Sequence, residues 1–159
     1  MTRTLPLLCA LQLLGAGGDD EAFATVTLEN DFDDPDFPMP PWTICEAHYG
    51  GTYYDEALSP GDVGTAQPVD PGLDYVYMVA SFGDPSCESP APLATRMEEE
   101  TLPGQTRTIA ISVPNHQGPC PPMGVPPIPE AQYERVRELF PEYDFPPYAE
   151  RLSLPLCSM

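Results

Sequence analysis

Prolines recur so often along this chain that they decide what it can build. Twenty-three of the 159 residues are proline and twelve are glycine, and each proline fixes φ and removes a backbone donor. Long helices are thereby excluded, and an all-α bundle with them. The spacing is uneven. Up to residue 113 the prolines stand between short apolar runs. Beyond it, Gly118-Pro-Cys-Pro-Pro-Met-Gly-Val-Pro-Pro-Ile-Pro129 has too few donors for a sheet interior and reads as an extended strap over the surface. With 42% hydrophobic residues, the chain still carries enough apolar material for one core.

The runs between the prolines have the period of strands. Ala24 to Leu28 alternates Val26 and Leu28 with Thr25 and Thr27, and Trp42 to His48 alternates again. Residues 51–57 and 63–69 are weaker strand candidates, separated by Leu58-Ser-Pro-Gly-Asp62, whose Pro60-Gly61 suits the centre of a type II turn. Asp70-Pro-Gly-Leu-Asp74 reads as a second such turn. It leads into Tyr75 to Phe82, whose unbroken apolar character predicts a central strand covered on both faces. Leu93 to Glu99, the turn Leu102-Pro-Gly-Gln105, and Thr106 to Val113 read as a hairpin. Pro129 to Phe140 is the single helix candidate, with Tyr133, Val136 and Phe140 on one side and Glu130, Glu134 and Glu138 on the solvated one. Pro141 stops it, and the aromatic tail (Tyr143, Phe145, Tyr148) is expected to pack. The predicted fold is mainly β: an antiparallel β-sandwich of about seven strands over residues 19–113. The strap, the short helix and the C-terminal tail, residues 114–159, lie on it.

Residues 1–18 carry one cation, Arg3, then Leu5-Pro-Leu-Leu-Cys-Ala-Leu-Gln-Leu-Leu14, then Gly15-Ala-Gly-Gly18. A positive start, a short apolar stretch and a small-residue region form the layout of a secretory signal peptide. The stretch is too short for a transmembrane helix, which needs roughly 20 apolar residues. The boundary Leu13-Leu-Gly-Ala-Gly-Gly-Asp-Asp20 also resembles a bacterial lipoprotein signal, but Gly17 or Gly18 stands where the lipidated cysteine would be, and Cys9 lies inside the apolar stretch. Cleavage near Gly18 is the expectation, with a secreted or cell-envelope location and lipid anchoring as its rival. Cys45, Cys87, Cys120 and Cys157 remain, an even number in an exported chain, and read as two disulfides. Of the three pairings we favour Cys45 with Cys87 and Cys120 with Cys157, the second tying the C-terminal extension to the body.

Leu58-Ser-Pro-Gly-Asp62 followed by Asp70-Pro-Gly-Leu-Asp-Tyr-Val-Tyr77 resembles the Pro-Gly-x-Tyr-x-Val pattern of transthyretin-like and carboxypeptidase-regulatory-like modules of bacterial envelope proteins, with one extra residue between Gly72 and Tyr75. The likeness covers about residues 23 to 113 and implies a seven-stranded sandwich without a catalytic role. The chain also resembles proline-rich, cysteine-paired lipoproteins of unknown function.

Charge narrows the partners. Twenty-five acids stand against six basic residues, every one arginine, for a net charge of −19. A phosphate-neutralising surface cannot be assembled from these, so nucleic acid is excluded as an expected partner. Asn30-Asp-Phe-Asp-Asp-Pro-Asp36 gathers oxygen ligands in the manner calcium needs, making Asp31, Asp33, Asp34 and Asp36 the candidate metal residues. The run lacks the glycine and twelfth-position glutamate of an EF-hand, and a solvated acidic loop is the competing reading. Glu98, Glu99 and Glu100 read as solubility charge. Cys45 and His48 with His116 and Cys120 offer four zinc-type ligands. Two arguments count against zinc: export favours disulfides, and the odd spacing of Cys45 and His48 puts them on opposite faces of a strand. Trp42, Tyr49, Tyr53 and Tyr54 could form a sugar-stacking surface or simply pack. No catalytic residues are assigned, because no nucleophile elbow, zincin motif or phosphate loop occurs. The expected function is a non-enzymatic, exported, envelope-associated binding or structural module with no cofactor, its partner an envelope protein or glycan. Alternatives are a calcium-dependent ligand-binding module, with carbohydrate as a candidate ligand, and a secreted hydrolase with a dispersed site.

Overall fold

The computed structural model of the chain describes residues 22–32, 42–88, 90–112, 116–117 and 128–151. The signal segment 1–18, Asp33, Asp34, Asp36, Cys120, Cys157, most of the strap and the last eight residues lie outside the described residues. The protein is a β-sandwich with a helical layer on one outer face. Its strands are β1 (Ala24–Asp31), β2 (Trp42–Tyr49), β3 (Thr52–Tyr54), β4 (Gln67–Val69), β5 (Gly72–Phe82), β6 (Ala91–Thr101), β7 (Thr106–Ser112) and β8 (His116–Gln117). They form a three-stranded sheet in the order β4-β1-β7 and a five-stranded sheet in the order β3-β2-β5-β6-β8. The helix α1 (Glu130–Leu139) follows, then a 3-10 turn at Pro141–Tyr143 and a last short helix, α2 (Tyr148–Arg151).

Alternation places the core. In β1, Ala24, Val26 and Leu28 are fully buried while Thr25, Thr27 and Glu29 are half-buried on the outer side. They meet Ile109 and Ile111 of β7 and Ile44, Ala47, Tyr49, Val76, Met78 and Ala80 of the larger sheet in one cluster between the sheets. Each of the valine, leucine, isoleucine and methionine side chains among them, fully buried, stabilises the fold by roughly 1.5–3 kcal/mol. β5 is covered on both sides as its sequence requires: Val76, Met78 and Ala80 face the inter-sheet core, while Tyr77 and Val79 join a second cluster under α1. That cluster holds Cys45, Ile128, Tyr133, Val136, Leu139 and Phe140, with Tyr143, Phe145 and Tyr148 against it. The helix and tail therefore pack, on the face that the spacing of Tyr133, Val136 and Phe140 indicates.

Of the two expected type II turns the one at 59–62 forms, and so does the turn expected at 102–105. The N–H of Asp62 donates to the Ser59 carbonyl at 2.9 Å and that of Gln105 to the Leu102 carbonyl at 3.0 Å, with Gly61 at φ 84° and Gly104 at φ 72°, where a Cβ would be strained. The hairpin expected around the second turn does not form. β6 pairs with β5 and β8, β7 pairs with β1, and the turn carries the chain from one sheet to the other. The β1–β7 pairing is parallel, in register over seven residues from Thr25↔Thr106 to Asp31↔Ser112. It is available because β2 to β6, all in between, supply the long crossover that parallel strands need. The turn expected at Asp70 to Asp74 is absorbed differently, since Gly72 at φ 143° already begins β5. Within the segment assigned to the strap, His116–Gln117 forms β8 at the edge of β6.

β2 carries a bulge between Ile44 and Glu46. The extra residue breaks the alternation, so Ile44, Ala47 and Tyr49 face the inter-sheet core while Cys45 faces the helix layer. Glu46 and His48 lie on that same side: Glu46 accepts the Tyr143 hydroxyl at 2.5 Å, and His48 stacks on Tyr53, which touches Phe140 of the helix layer. Cys45 and His48 therefore share a face, and the expectation that an odd spacing separates them is corrected by the bulge.

Candidate functional site

The helix-covered face of the five-stranded sheet gathers the described cysteines, the buried imidazole of His48 and most of the tyrosines. Cys45, on the bulge of β2, is disulfide-bonded to Cys87 across a separation of 42 residues. Cys87 lies beyond β5, in a left-handed backbone conformation (φ 58°). It follows a turn in which Asp84 accepts from the backbone N–H and hydroxyl of Ser86, bonds that hold its carboxyl below the usual range. The first expected pairing is thus the observed one. The second, Cys120 with Cys157, lies outside the described residues. A bonded Cys45 has no thiolate to offer, so the four-residue zinc arrangement fails at its first ligand.

His48 sits two residues after the bulged segment, buried between β3 and β5. Its ring meets Tyr53 edge-on at 4.7 Å, and Tyr53 in turn meets Phe140 at 6.0 Å and donates its hydroxyl to the Leu139 carbonyl at 3.1 Å. β3 is in this way tied to the C-terminal end of α1. Burial lowers the His48 pKa below 6.5, the Asp74 carboxylate pulls it up, and the Arg135 guanidinium pushes it down again. The imidazole is therefore neutral near pH 7. Its Nδ1 is buried without a hydrogen-bond partner.

Hydroxyl and carboxylate pairs frame this layer. Tyr143 donates its hydroxyl to Glu46, and burial together with that carboxylate drives its pKa far above 10. Tyr75 donates to Glu98 at 2.5 Å, Tyr133 to the Pro146 carbonyl at 2.7 Å, and Tyr148 to the Ile128 carbonyl at 3.0 Å. On α1, Arg137 bridges Glu134 at 2.5 Å and Arg135 bridges Glu138 at 3.0 Å. These exposed pairs are worth under about 1 kcal/mol each. The bonds of Tyr133, Tyr143 and Tyr148 each fix the C-terminal segment to a specific carbonyl or carboxylate, and that of Tyr75 joins β5 to β6.

The acidic run divides at Asn30. This side chain is fully buried. Its amide donates to the carbonyls of Trp42 at 2.9 Å and Leu58 at 2.7 Å, and its Oδ1 accepts the N–H of Phe32 at 3.1 Å. Its backbone takes the N–H of Gly61 and donates to Asp62. An amide so committed is not an oxygen ligand for calcium. Asp31 stands exposed at the end of β1, and Asp33, Asp34 and Asp36 lie outside the described residues. The signal for Asn30 was present in the alternation of Ala24, Val26 and Leu28, which points residue 30 inward.

The aromatic sugar-stacking group is dispersed. Tyr49 and Tyr54 are buried between the sheets, Trp42 lies between Phe32 and Phe82, and Tyr53 alone is broadly exposed, on the opposite face. Tyr49 donates to the Glu99 carbonyl at 2.8 Å and Tyr54 to the Val26 carbonyl at 3.3 Å, and burial raises the Tyr54 pKa to about 12. The triple glutamate likewise splits: Glu98 serves Tyr75, and Glu99 pairs with Arg107 at 2.6 Å. His116 lies on β8, paired through its backbone with Thr95.

A cleft of about 90 Å³ opens where the chain crosses between sheets, lined by Tyr54, Glu56, Leu58, Gly64, Thr65 and Gln67. Small-molecule sites run to roughly 300–1,000 Å³. Glu56 here accepts from the N–H and hydroxyl of Thr65, a use that closes the crossing. Among the described residues no group of three or more His, Cys, Asp or Glu is placed to hold a metal ion, and no helix is long and apolar enough to cross a membrane. Comparison with protein-family models, with curated proteins and with solved structures yields no match.

Proposed function

We propose that this chain is an exported, envelope-associated β-sandwich that works as a binding or structural module and not as an enzyme. The observation that carries the reading is the Cys45–Cys87 disulfide, set under the helix layer where it joins β2 to the loop after β5. A bond of this kind forms and persists in oxidising compartments. Three further features agree. Residues 1–18 have the layout of a secretory signal. The net charge of −19 suits a protein kept soluble and apart from polyanions. The polar groups of the helix-covered face are spent on holding the tail: Tyr53, Tyr133, Tyr143 and Tyr148 each bond a backbone carbonyl or carboxylate.

The test is fractionation of bacterial cells expressing the full chain, with sequencing of the recovered N-terminus. Recovery outside the cytoplasm with an N-terminus near Asp19 supports the proposal, and a diacylglyceryl-modified N-terminus would make it a lipid-anchored form of the same module. Recovery in the cytoplasm with Met1 intact overturns it.

A further inference from the structure

The helix layer and the sandwich keep separate cores. Leu28, Ile44, Met78 and Ile109 pack between the sheets, while Tyr133, Val136, Leu139 and Phe140 pack outside them on Cys45 and Val79. Residues 128–151 can therefore leave the sheet without opening the inter-sheet core, and proteins open in cooperative units of this kind. The Cys45–Cys87 bond joins two parts of the sandwich to each other, not the layer to the sandwich. The layer is fastened by hydroxyls: that of Tyr143 donates to Glu46 on β2, and that of Tyr53 on β3 donates to the Leu139 carbonyl. His48 stands beside both fastenings, two residues on from Glu46 and with its ring edge-on to Tyr53.

The groups around this ring decide which state a proton favours. From β2 comes Glu46, engaged by Tyr143. From β3 comes the Tyr53 ring, uncharged at neutral pH. From β5 come Tyr77, opposite His48 in the strand register, and Asp74, whose oxygens accept the N–H groups of Tyr75 at 2.8 Å and Gly50 at 3.2 Å. From α1 comes the Arg135 guanidinium, which also bridges Glu138, and beyond the helix Phe140 backs Tyr53. The buried Nδ1 is bonded to none of them. A docked imidazolium would hold an N–H without an acceptor there, beside a like charge. The cation belongs to the layer and the Asp74 carboxylate to the sheet. Lifting the layer takes Arg135 away, admits water to Nδ1 and leaves Asp74 in place. The lifted state thus binds the proton better, and a ligand that prefers one state shifts the balance toward it. Burial, the largest cause, keeps the docked pKa below 6.5 against the pull of Asp74, in agreement with this direction.

We propose that His48 is an acid-operated latch, whose protonation lifts residues 128–151 off the five-stranded sheet while the sandwich and its disulfide stay closed. The lifted layer bares the outer face of β2 and β5, with Cys45, Tyr77 and Val79. The trigger is the charge of one imidazole, in the mildly acidic range where histidine serves as a switch. Between about pH 6.5, where a solvated imidazole titrates, and the lower docked value, each unit of pH raises the ratio of lifted to docked layer about tenfold.

Amide hydrogen exchange on the purified, oxidised full chain, corrected at each pH for the intrinsic chemical rate, tests this together with an NMR titration of the His48 ring. From pH 7.5 to pH 5 the protection of the Tyr133 and Phe140 amides, bonded to the Pro129 and Val136 carbonyls, should fall about fivefold or more. Protection of the Thr25 and Ile44 amides in the sandwich, bonded to the Gln105 and Leu58 carbonyls, should hold. His48→Phe keeps a ring against Tyr53 without the titration, and protection of its layer should not change over that range. Arg135→Gln, at an exposed position, takes away the like charge and should raise the His48 pKa. The proposal is overturned by a layer whose protection is unchanged down to pH 5, by an equal fall at Thr25 and Ile44, or by an equal fall in folded His48→Phe. A His48 ring that titrates at or above pH 6.5, or a pKa that Arg135→Gln leaves unmoved, overturns it as well.

Discussion

His48 lies edge-on against Tyr53, ring centroids 4.7 Å apart and planes at 71°, while its buried Nδ1 has no hydrogen-bond partner. The pair fastens β3 to the helix layer through an imidazole that the fold keeps neutral. Burial, the largest cause, sets its pKa below the ordinary 6.5.

Acid should therefore loosen this fastening. The unfolded chain takes up a proton at about pH 6.5 and the folded chain only at a lower pH. The contribution of His48 is complete above 6.5 and is lost as pH falls from there through the folded value. In His48→Leu the titration is gone. The melting-temperature advantage of the parent over the variant should shrink from pH 7.5 to pH 5, and an advantage constant over that range would contradict the account.

Asn30 joins three segments through one buried amide, and its loss strands the carbonyls of Trp42 and Leu58. Asn30→Ala should cost roughly 3 kcal/mol, a sum of buried groups left without partners. Urea unfolding of parent and variant measures it. A loss under about 1 kcal/mol would mean that water replaces the amide at no great cost.

Phe140 closes the C-terminal end of α1, fully buried and set perpendicular to Tyr53. Phe140→Ala should cost about 3–5 kcal/mol and free the tail first. Limited proteolysis reads this directly: cleavage between residues 128 and 151 should appear before any cleavage within β1 to β7. Uniform cleavage along the chain would show that the helical layer does not open by itself.

Calcium at millimolar concentration should leave the melting temperature of the protein unchanged. The amide of Asn30 is spent inside the fold, and Asp31 stands alone and exposed among the described residues of that run. Ligand that binds only the native state at 100 times its Kd would add about 2.7 kcal/mol. A rise of several degrees would contradict this and support the calcium-dependent reading of residues 31 to 36.

Much of this fold was legible in the sequence because much of it is local. β1, β2 and β5 follow from alternation and from β-branched and aromatic content, and α1 from the spacing of Tyr133 and Val136. The turns at 59–62 and 102–105 follow from Pro-Gly pairs. What was not legible is which strands those turns join to which sheet. Leu102-Pro-Gly-Gln105 makes the same turn whether its flanks pair or part, and the parallel contact of β1 with β7 lies some 80 residues away along the chain. The bulge at Cys45 was hidden for the same reason, since it is a mismatch between β2 and β5 and not a property of β2 alone. Of the site, the Cys45–Cys87 bond was reached by pairing argument. The burial of His48 was not, because the bulge decides which face it takes; the inward position of Asn30 follows from the alternation of β1, but its partners Trp42 and Leu58 are distant in sequence.

The disulfide is the centre of the account. It closes a separation of 42 residues, which in the chain-entropy treatment stabilises by about 4 kcal/mol, and bonds of this kind persist mainly in oxidising compartments. Non-reducing peptide mapping by mass spectrometry, on the full-length gene product recovered from cells without added oxidant, tests it most directly. The account predicts a Cys45–Cys87 cross-linked peptide and an N-terminus near Asp19. Free thiols at Cys45 and Cys87, in a folded protein that retains residues 1–18, would contradict it.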